Sequence, residues 1–138
     1  MKRVTVIIGH PRPGSFNHSI AGAYVQAAVA QGAEVRVIDL AEISFDLSTA
    51  DVHQLHAHGP QDLGPLPVEV QSMIADVTWA EHLVFVHPVW WGTYPAALKG
   101  FIDRVFLSGV VFKYGKTGKS WDKFLTGRTA RVLSTMDT

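Results

Sequence analysis

Apolar residues fall in blocks along this chain, and the spacing within each block predicts its element. Val4, Val6, Ile7 and Ile8 make a nearly continuous apolar run over residues 3–9, as in a strand covered on both faces. Residues 17–31 read as a helix with Ile20, Tyr24, Ala27 and Ala28 on one face and Gly32 placed to end it. Val35, Val37, Ile38 and Leu40 predict a second strand. Val70, Met73, Ile74 and Val77 recur at i, i+3, i+4 and i+7, so a helix starts near Pro67. Residues 83–86 are a third buried strand. Leu98, Phe101, Ile102, Val105 and Phe106 then give a strongly one-sided helix, with Pro95 in its first turn and Thr93 as its expected N-cap. Residues 129–135 form a fourth strand. Two stretches lack a period: 41–64, with Asp, Ser, Pro and Gly punctuation and three histidines, and 109–127, with Phe112, Tyr114 and Trp121.

Strands that alternate with helices at this spacing predict βαβ units and a parallel sheet, an α/β fold. Composition narrows the picture further. The 138 residues suffice for one domain with a real core, and 47% hydrophobic against 17% charged residues excludes a disordered chain. Lys+Arg and Asp+Glu balance at 12 each, so net charge implies no nucleic-acid partner. Without cysteine, thiol catalysis, disulfides and thiolate metal sites are excluded. No apolar stretch reaches transmembrane length, and a soluble cytoplasmic protein without membrane insertion is the expectation.

The candidate chemistry sits in two loops that follow strands. Gly9-His10-Pro11-Arg12-Pro13-Gly14-Ser15-Phe16-Asn17 leads into a helix N-terminus, where free N–H groups and the helix dipole favour a phosphate. Ser15 and Asn17 can add donors, and His10 and Arg12 charge or hydrogen bonds; the plainer reading makes Ser15 and Asn17 simple caps. Pro88-Val89-Trp90-Trp91-Gly92 puts two indoles between a strand and a helix, where loops are usually polar. Such a pair suits a planar ligand, although one or both could pack in the core or at a dimer interface.

Three patterns are set aside. Gly118-Lys119-Ser120 has Lys113 where a P-loop needs glycine, and no strand leads into it. No G-x-G-x-x-G follows the first strand. His53, His56 and His58 lie in an irregular loop with no element to fix a metal geometry, so no metal site is assigned.

The segment PVWWGTYPAALKGFIDRVF resembles the flavin-contacting loop and following helix of the NAD(P)H:quinone oxidoreductases, in the flavodoxin-like superfamily, and GHPRPGSFN resembles that family's phosphate-binding loop. The resemblance covers essentially the whole chain. It implies a three-layer α/β/α flavin-binding domain over residues 1–138, with strand order 2-1-3-4. The family's fifth strand, and the Tyr and His near its hydride-transfer site, come later than residue 138, so no catalytic residue is assigned. In this order the first and third strands are neighbours, and the crevice at their carboxyl ends is the expected ligand site.

The resemblance further implies FMN or FAD as cofactor, NAD(P)H as reductant and a quinone-like acceptor. His10, Ser15, Phe16 and Asn17 would hold the flavin phosphate, and Pro88, Val89, Trp90, Trp91 and Gly92 the ring. Thr135, Met136 and Asp137 would border it from the fourth strand. Phe112 and Tyr114 resemble an aromatic pair that the family contributes to a neighbour's substrate pocket, which implies a homodimer. Two rivals remain. A flavodoxin-like electron carrier is typically acidic, and this chain is neutral. A non-catalytic ancillary subunit of a potassium-efflux system belongs to one branch of the family.

Overall fold

The computed structural model describes residues 2–137; Met1 and Thr138, the ends of the expected domain, lie outside them. Four strands pair in parallel: β1 (Arg3–Ile8), β2 (Glu34–Asp39), β3 (His82–Pro88) and β6 (Thr129–Thr135), in the order β2-β1-β3-β6. Ile8 faces Asp39 on one side and Val86 on the other, and Pro88 faces Thr135, so the carboxyl ends of β1, β3 and β6 reach one edge of the sheet. Helices α1 (Phe16–Ala30), α2 (Val68–Trp79) and α3 (Ala96–Val105) connect them. This is the expected α/β architecture and strand order.

The alternation of side chains along β1 and β3 explains the two-sided core. Ile7 and Leu83 pack with Met73, Ile74, Leu98 and Phe101 of α2 and α3, whereas Val4, Val6, Val84 and Val86 pack with Ala21 of α1. Thr5, fully buried in β1, donates its hydroxyl to the Asp76 carbonyl at 2.8 Å, so no buried polar group is left open there.

Four local expectations are corrected. Of the face expected for α1, Ile20 and Tyr24 pack partly buried on the core and Ala28 is half-buried, but Ala27 is exposed, and the fully buried positions are Asn17 and Ala21. Thr93 does not cap α3; it closes a turn with Trp90, and Pro95 occupies the N-cap. Within 109–127 a hairpin forms, β4 (Phe112–Tyr114) against β5 (Trp121–Lys123), with Tyr114 opposite Trp121. Within 41–64 a short 3-10 turn, Val52–Gln54, is capped by Asp51.

That second irregular stretch is anchored rather than loose. Arg104, buried on α3, donates to the Asp46 carbonyl at 2.5 Å and to Gln54 Oε1 at 2.6 Å. A buried guanidinium without those partners would be costly, so the two bonds tie the loop to α3.

Candidate functional site

Gly9 opens the site. Its N–H donates to the Val86 carbonyl at 2.7 Å, and a Cβ there would lie 3.0 Å from Leu98 Cδ2 and 3.2 Å from His87 Cβ. Only glycine lets β1 end this close to α3. The chain turns through Gly14, at φ 69°, and enters α1.

Ser15 is the N-cap of α1, in a capping box whose other member is His18. The His18 N–H donates to Ser15 Oγ at 3.4 Å, and the Ser15 N–H donates to His18 Nδ1 at 3.3 Å. The N–H groups of Phe16 and Asn17 have no partner among the described residues, the ordinary state of a helix start open to an anion. Asn17 is buried, and its Oδ1 accepts from the Thr135 hydroxyl at 3.3 Å, which joins the first turn of α1 to the end of β6. Phe16 is exposed.

His10 stands beside this turn. The Arg12 N–H donates to its Nδ1 at 3.0 Å, so in the neutral ring Nε2 carries the proton. Burial, then the charges of Arg12 and His18, hold His10 below the ordinary imidazole range. Its ring meets Trp90 edge-on, 5.2 Å between centroids.

After β3 the chain makes a tight hairpin. The Trp90 N–H donates to Thr93 O at 2.8 Å and the Thr93 N–H returns to Trp90 O at 3.1 Å. Trp91 and Gly92 between them both have positive φ, 53° and 76°, the geometry of a type I′ turn. Trp91 is fully exposed. Of the main-chain donors in this loop, Val89 is bonded to Thr135 O and Trp90 to Thr93 O, which leaves those of Trp91 and Gly92 open among the described residues.

Phe16, Pro88, Val89, Trp90, Thr135, Met136 and Asp137 line one cleft of about 430 Å³. The two loops singled out in the sequence and the end of β6 therefore meet, with His10 and Asn17 at the margin through Trp90 and Thr135. Phe112 and Tyr114 do not join them; they stack edge to face at 5.2 Å on the hairpin. Among the described residues no group of three or more His, Asp or Glu is arranged to hold a metal.

Sequence reasoning missed His18 and Asp39. His18 Nδ1 lies 2.7 Å from Ser15 Oγ, and its Nε2 lies 3.0 Å and 3.1 Å from the Asp39 oxygens. The available signal was the Ser-x-x-His spacing, a capping box with imidazole in place of the usual Glu or Gln.

A parallel sheet with a cleft at the carboxyl ends of neighbouring strands, beside a phosphate-ready helix start, is the arrangement of a nucleotide-binding α/β protein. The model of the flavodoxin-like fold family matches residues 2–138, and the chain belongs to that family. A ribosyldihydronicotinamide dehydrogenase-like protein of Penicillium crustosum is 30% identical over 97% of this chain and 57% of its own length. NAD(P)H dehydrogenase (quinone) 1 of Cavia porcellus is 30% identical over 83% of this chain and 46% of its own. The structure of an NAD(P)H:quinone oxidoreductase from Methanothermobacter marburgensis superposes with a TM-score of 0.77 at 25% identity, covering 98% of this chain and 66% of that one. The chain spans about half the length of the curated relatives it matches. Among the described residues no helix is long and apolar enough to cross a membrane.

Proposed function

We propose that residues 1–138 are the flavin-binding domain of a cytoplasmic, homodimeric NAD(P)H oxidoreductase that reduces quinone-like acceptors. The observation that carries this reading is the single cleft formed by Phe16 at the start of α1, by Pro88, Val89 and Trp90 after β3, and by the end of β6. The names of the relatives, quinone dehydrogenases and oxidoreductases of NAD(P)H, support the reaction class.

The residues fit a flavin on their own chemistry. The open N–H groups of Phe16 and Asn17, the Asn17 side-chain amide and His10 Nε2 are donors around one helix N-terminus, suited to a phosphate. The open N–H groups of Trp91 and Gly92 suit the polar edge of a ring, and the exposed indoles beside them suit its face. A bound flavin would supply the redox chemistry, taking a hydride from the nicotinamide and passing reducing equivalents to the acceptor. The protein contributes position and electrostatics. Donors aimed at a ring edge stabilise negative charge there, and a cleft open on one side admits reductant and acceptor in turn.

The test is direct. Purified protein is expected to show a visible flavin spectrum, with the released flavin identified by mass as FMN or FAD, and to oxidise NADH or NADPH with a quinone. A protein that binds neither flavin overturns the reading. One that binds flavin but never oxidises either nicotinamide has instead the behaviour of a carrier or ancillary subunit.

A further inference from the structure

Ser15 spends its hydroxyl proton on His18 and has none left for a phosphate. Asp39 ends β2 and its carboxylate can only accept, so His18 Nε2, 3.0–3.1 Å from its oxygens, carries the proton between them. Asp39 is itself held, because its Oδ1 also accepts from the Ala41 N–H at 3.0 Å. In a neutral ring with Nε2 protonated, Nδ1 is a lone pair. It receives the Ser15 N–H at 3.3 Å, and Ser15 Oγ stands 2.7 Å from it. The hydroxyl proton therefore points at His18, and Ser15 turns only lone pairs toward the open N–H groups of Phe16 and Asn17. Lone pairs facing a phosphate oxygen repel it.

We infer that the Asp39–His18–Ser15 chain couples binding of a phosphate-bearing flavin to uptake of one proton at His18 Nδ1. The proton comes from solvent. Once Nδ1–H donates to Ser15 Oγ, the hydroxyl is free to rotate and donate to the phosphate. The imidazolium keeps its Nε2–H on Asp39, so the pair passes from a net negative charge to none close to the anionic ligand. The Ser15 N–H, displaced from Nδ1, becomes a further donor for the anion. Only His18 Nδ1 and Ser15 exchange hydrogen-bond roles; the His18–Asp39 bond is kept. Ser15 is buried, while His18 and Asp39 are partly exposed, so solvent reaches the imidazole from which the proton is exchanged.

The titratable groups that these contacts place around His18 are Asp39 from β2 and His10 from the loop, with Arg12 beside His10. Arg12 stays charged at all working pH values. His10 is the competing site of protonation and must be controlled.

This inference rests on the flavin reading above, and the experiment separates the two. FMN binding is measured by titration calorimetry at pH 8, where the phosphate is already a dianion, in buffers of differing ionisation enthalpy. The dependence of heat on buffer counts the protons taken up. Wild type is expected to take up a proton with FMN and none with riboflavin, which lacks the phosphate. Its FMN Kd should weaken by up to about tenfold per pH unit as pH rises, the limit for one linked proton. His18→Gln keeps a capping-box side chain at this position but cannot be protonated, and its uptake should vanish while FMN still binds. Asp39→Asn removes the counter-charge and should diminish uptake; His10→Asn should weaken FMN binding but keep the number of protons taken up per FMN bound, and uptake lost in His10→Asn would place the proton on His10 and overturn the coupling. If FMN binds wild type without proton uptake, or if uptake persists in His18→Gln, the coupling is wrong and the flavin reading stands. If FMN does not bind wild type at all, the flavin reading itself fails. Apo melting curves of each variant confirm that it folds.

Discussion

Gly100 of α3 lies against Leu47 of the long connection between β2 and α2: a Cβ on the glycine would sit 2.7 Å from Leu47 Cδ2 and 3.0 Å from its Cα. The side-chain atom could turn away, but the backbone atom could not. Together with Arg104, which holds Asp46 and Gln54, this contact seats an otherwise irregular loop on α3.

Gly100→Ala is therefore expected to destabilise the protein despite the better helix propensity of alanine. Overpacking costs roughly 1–3 kcal/mol, and alanine returns roughly 0.8–1 kcal/mol in a helix interior. Because the clash includes backbone, a net loss of about 1–2 kcal/mol is expected from urea unfolding. An unchanged or higher midpoint would show that the loop is not held here.

The three helices and all four parallel strands were legible in the sequence: β1, β3, α2 and α3 bury a run or a stripe, and burial leaves a period, whereas β2 and β6, mostly exposed, showed only as short apolar, β-branched stretches between turns. Val70, Met73, Ile74 and Val77 are all buried as their spacing predicts. The hairpin was not legible. Its strands have three residues each, and β5 is exposed throughout, so no apolar alternation marks them. The anchoring by Arg104 was hidden for a different reason: a charged residue reads as surface until its partners, 50 and 58 positions away, are known. The same holds for His18 of α1, whose partner Asp39 comes from the end of β2. The cleft itself was foreseeable from topology, because neighbouring parallel strands deliver their following loops to one edge.

Gly9→Ala tests how closely the first loop is built on α3. The added methyl meets Leu98 and His87 at 3.0–3.2 Å, and Leu98 is buried, so its neighbours must shift to admit it. The expected outcome is displacement of residues 10–15, seen as weaker FMN binding with a smaller effect on melting temperature. A variant that melts lower but binds FMN as tightly as wild type would contradict the assignment of this loop to the ligand.

Stability of the ligand-free protein should fall toward acid pH. His10 is held below its ordinary value by burial and then by Arg12 and His18, and His82 by burial and then by Lys2 and Arg131. A lowered histidine binds fewer protons folded than unfolded in the window between its two values. Stability therefore rises with pH through that window; the contribution is complete above the ordinary value near 6.5 and is lost as pH falls through the folded value. Melting temperatures from pH 5 to 8 should show this slope, and His10→Asn with His82→Asn should flatten it. A slope of opposite sign, or one untouched by both substitutions, would contradict it.

Trp91 occupies the first central position of a type I′ turn at φ 53°, where asparagine or glycine is favoured and a bulky side chain is disfavoured. The left-handed conformation costs an ordinary L-residue about 1–2 kcal/mol, and a fully exposed indole makes no packing contact to offset it. In the free protein, then, Trp91 is a strained residue with nothing to gain from its position. Trp91→Asn would create Asn-Gly at the two central positions, the best pair for this turn. The substitution is expected to stabilise the ligand-free protein by roughly 0.5–1 kcal/mol, since asparagine retains part of the left-handed cost. If the indole is retained for stacking on a planar ligand, the same change should weaken binding of flavin or of a quinone acceptor, by about 1 kcal/mol or more for the loss of one aromatic contact. The two effects have opposite signs, so melting with and without ligand separates them in one experiment. Higher apo stability with undiminished binding would confine Trp91 to a role outside the cleft; lower apo stability would mean that the indole packs in solution and that the strain argument is wrong.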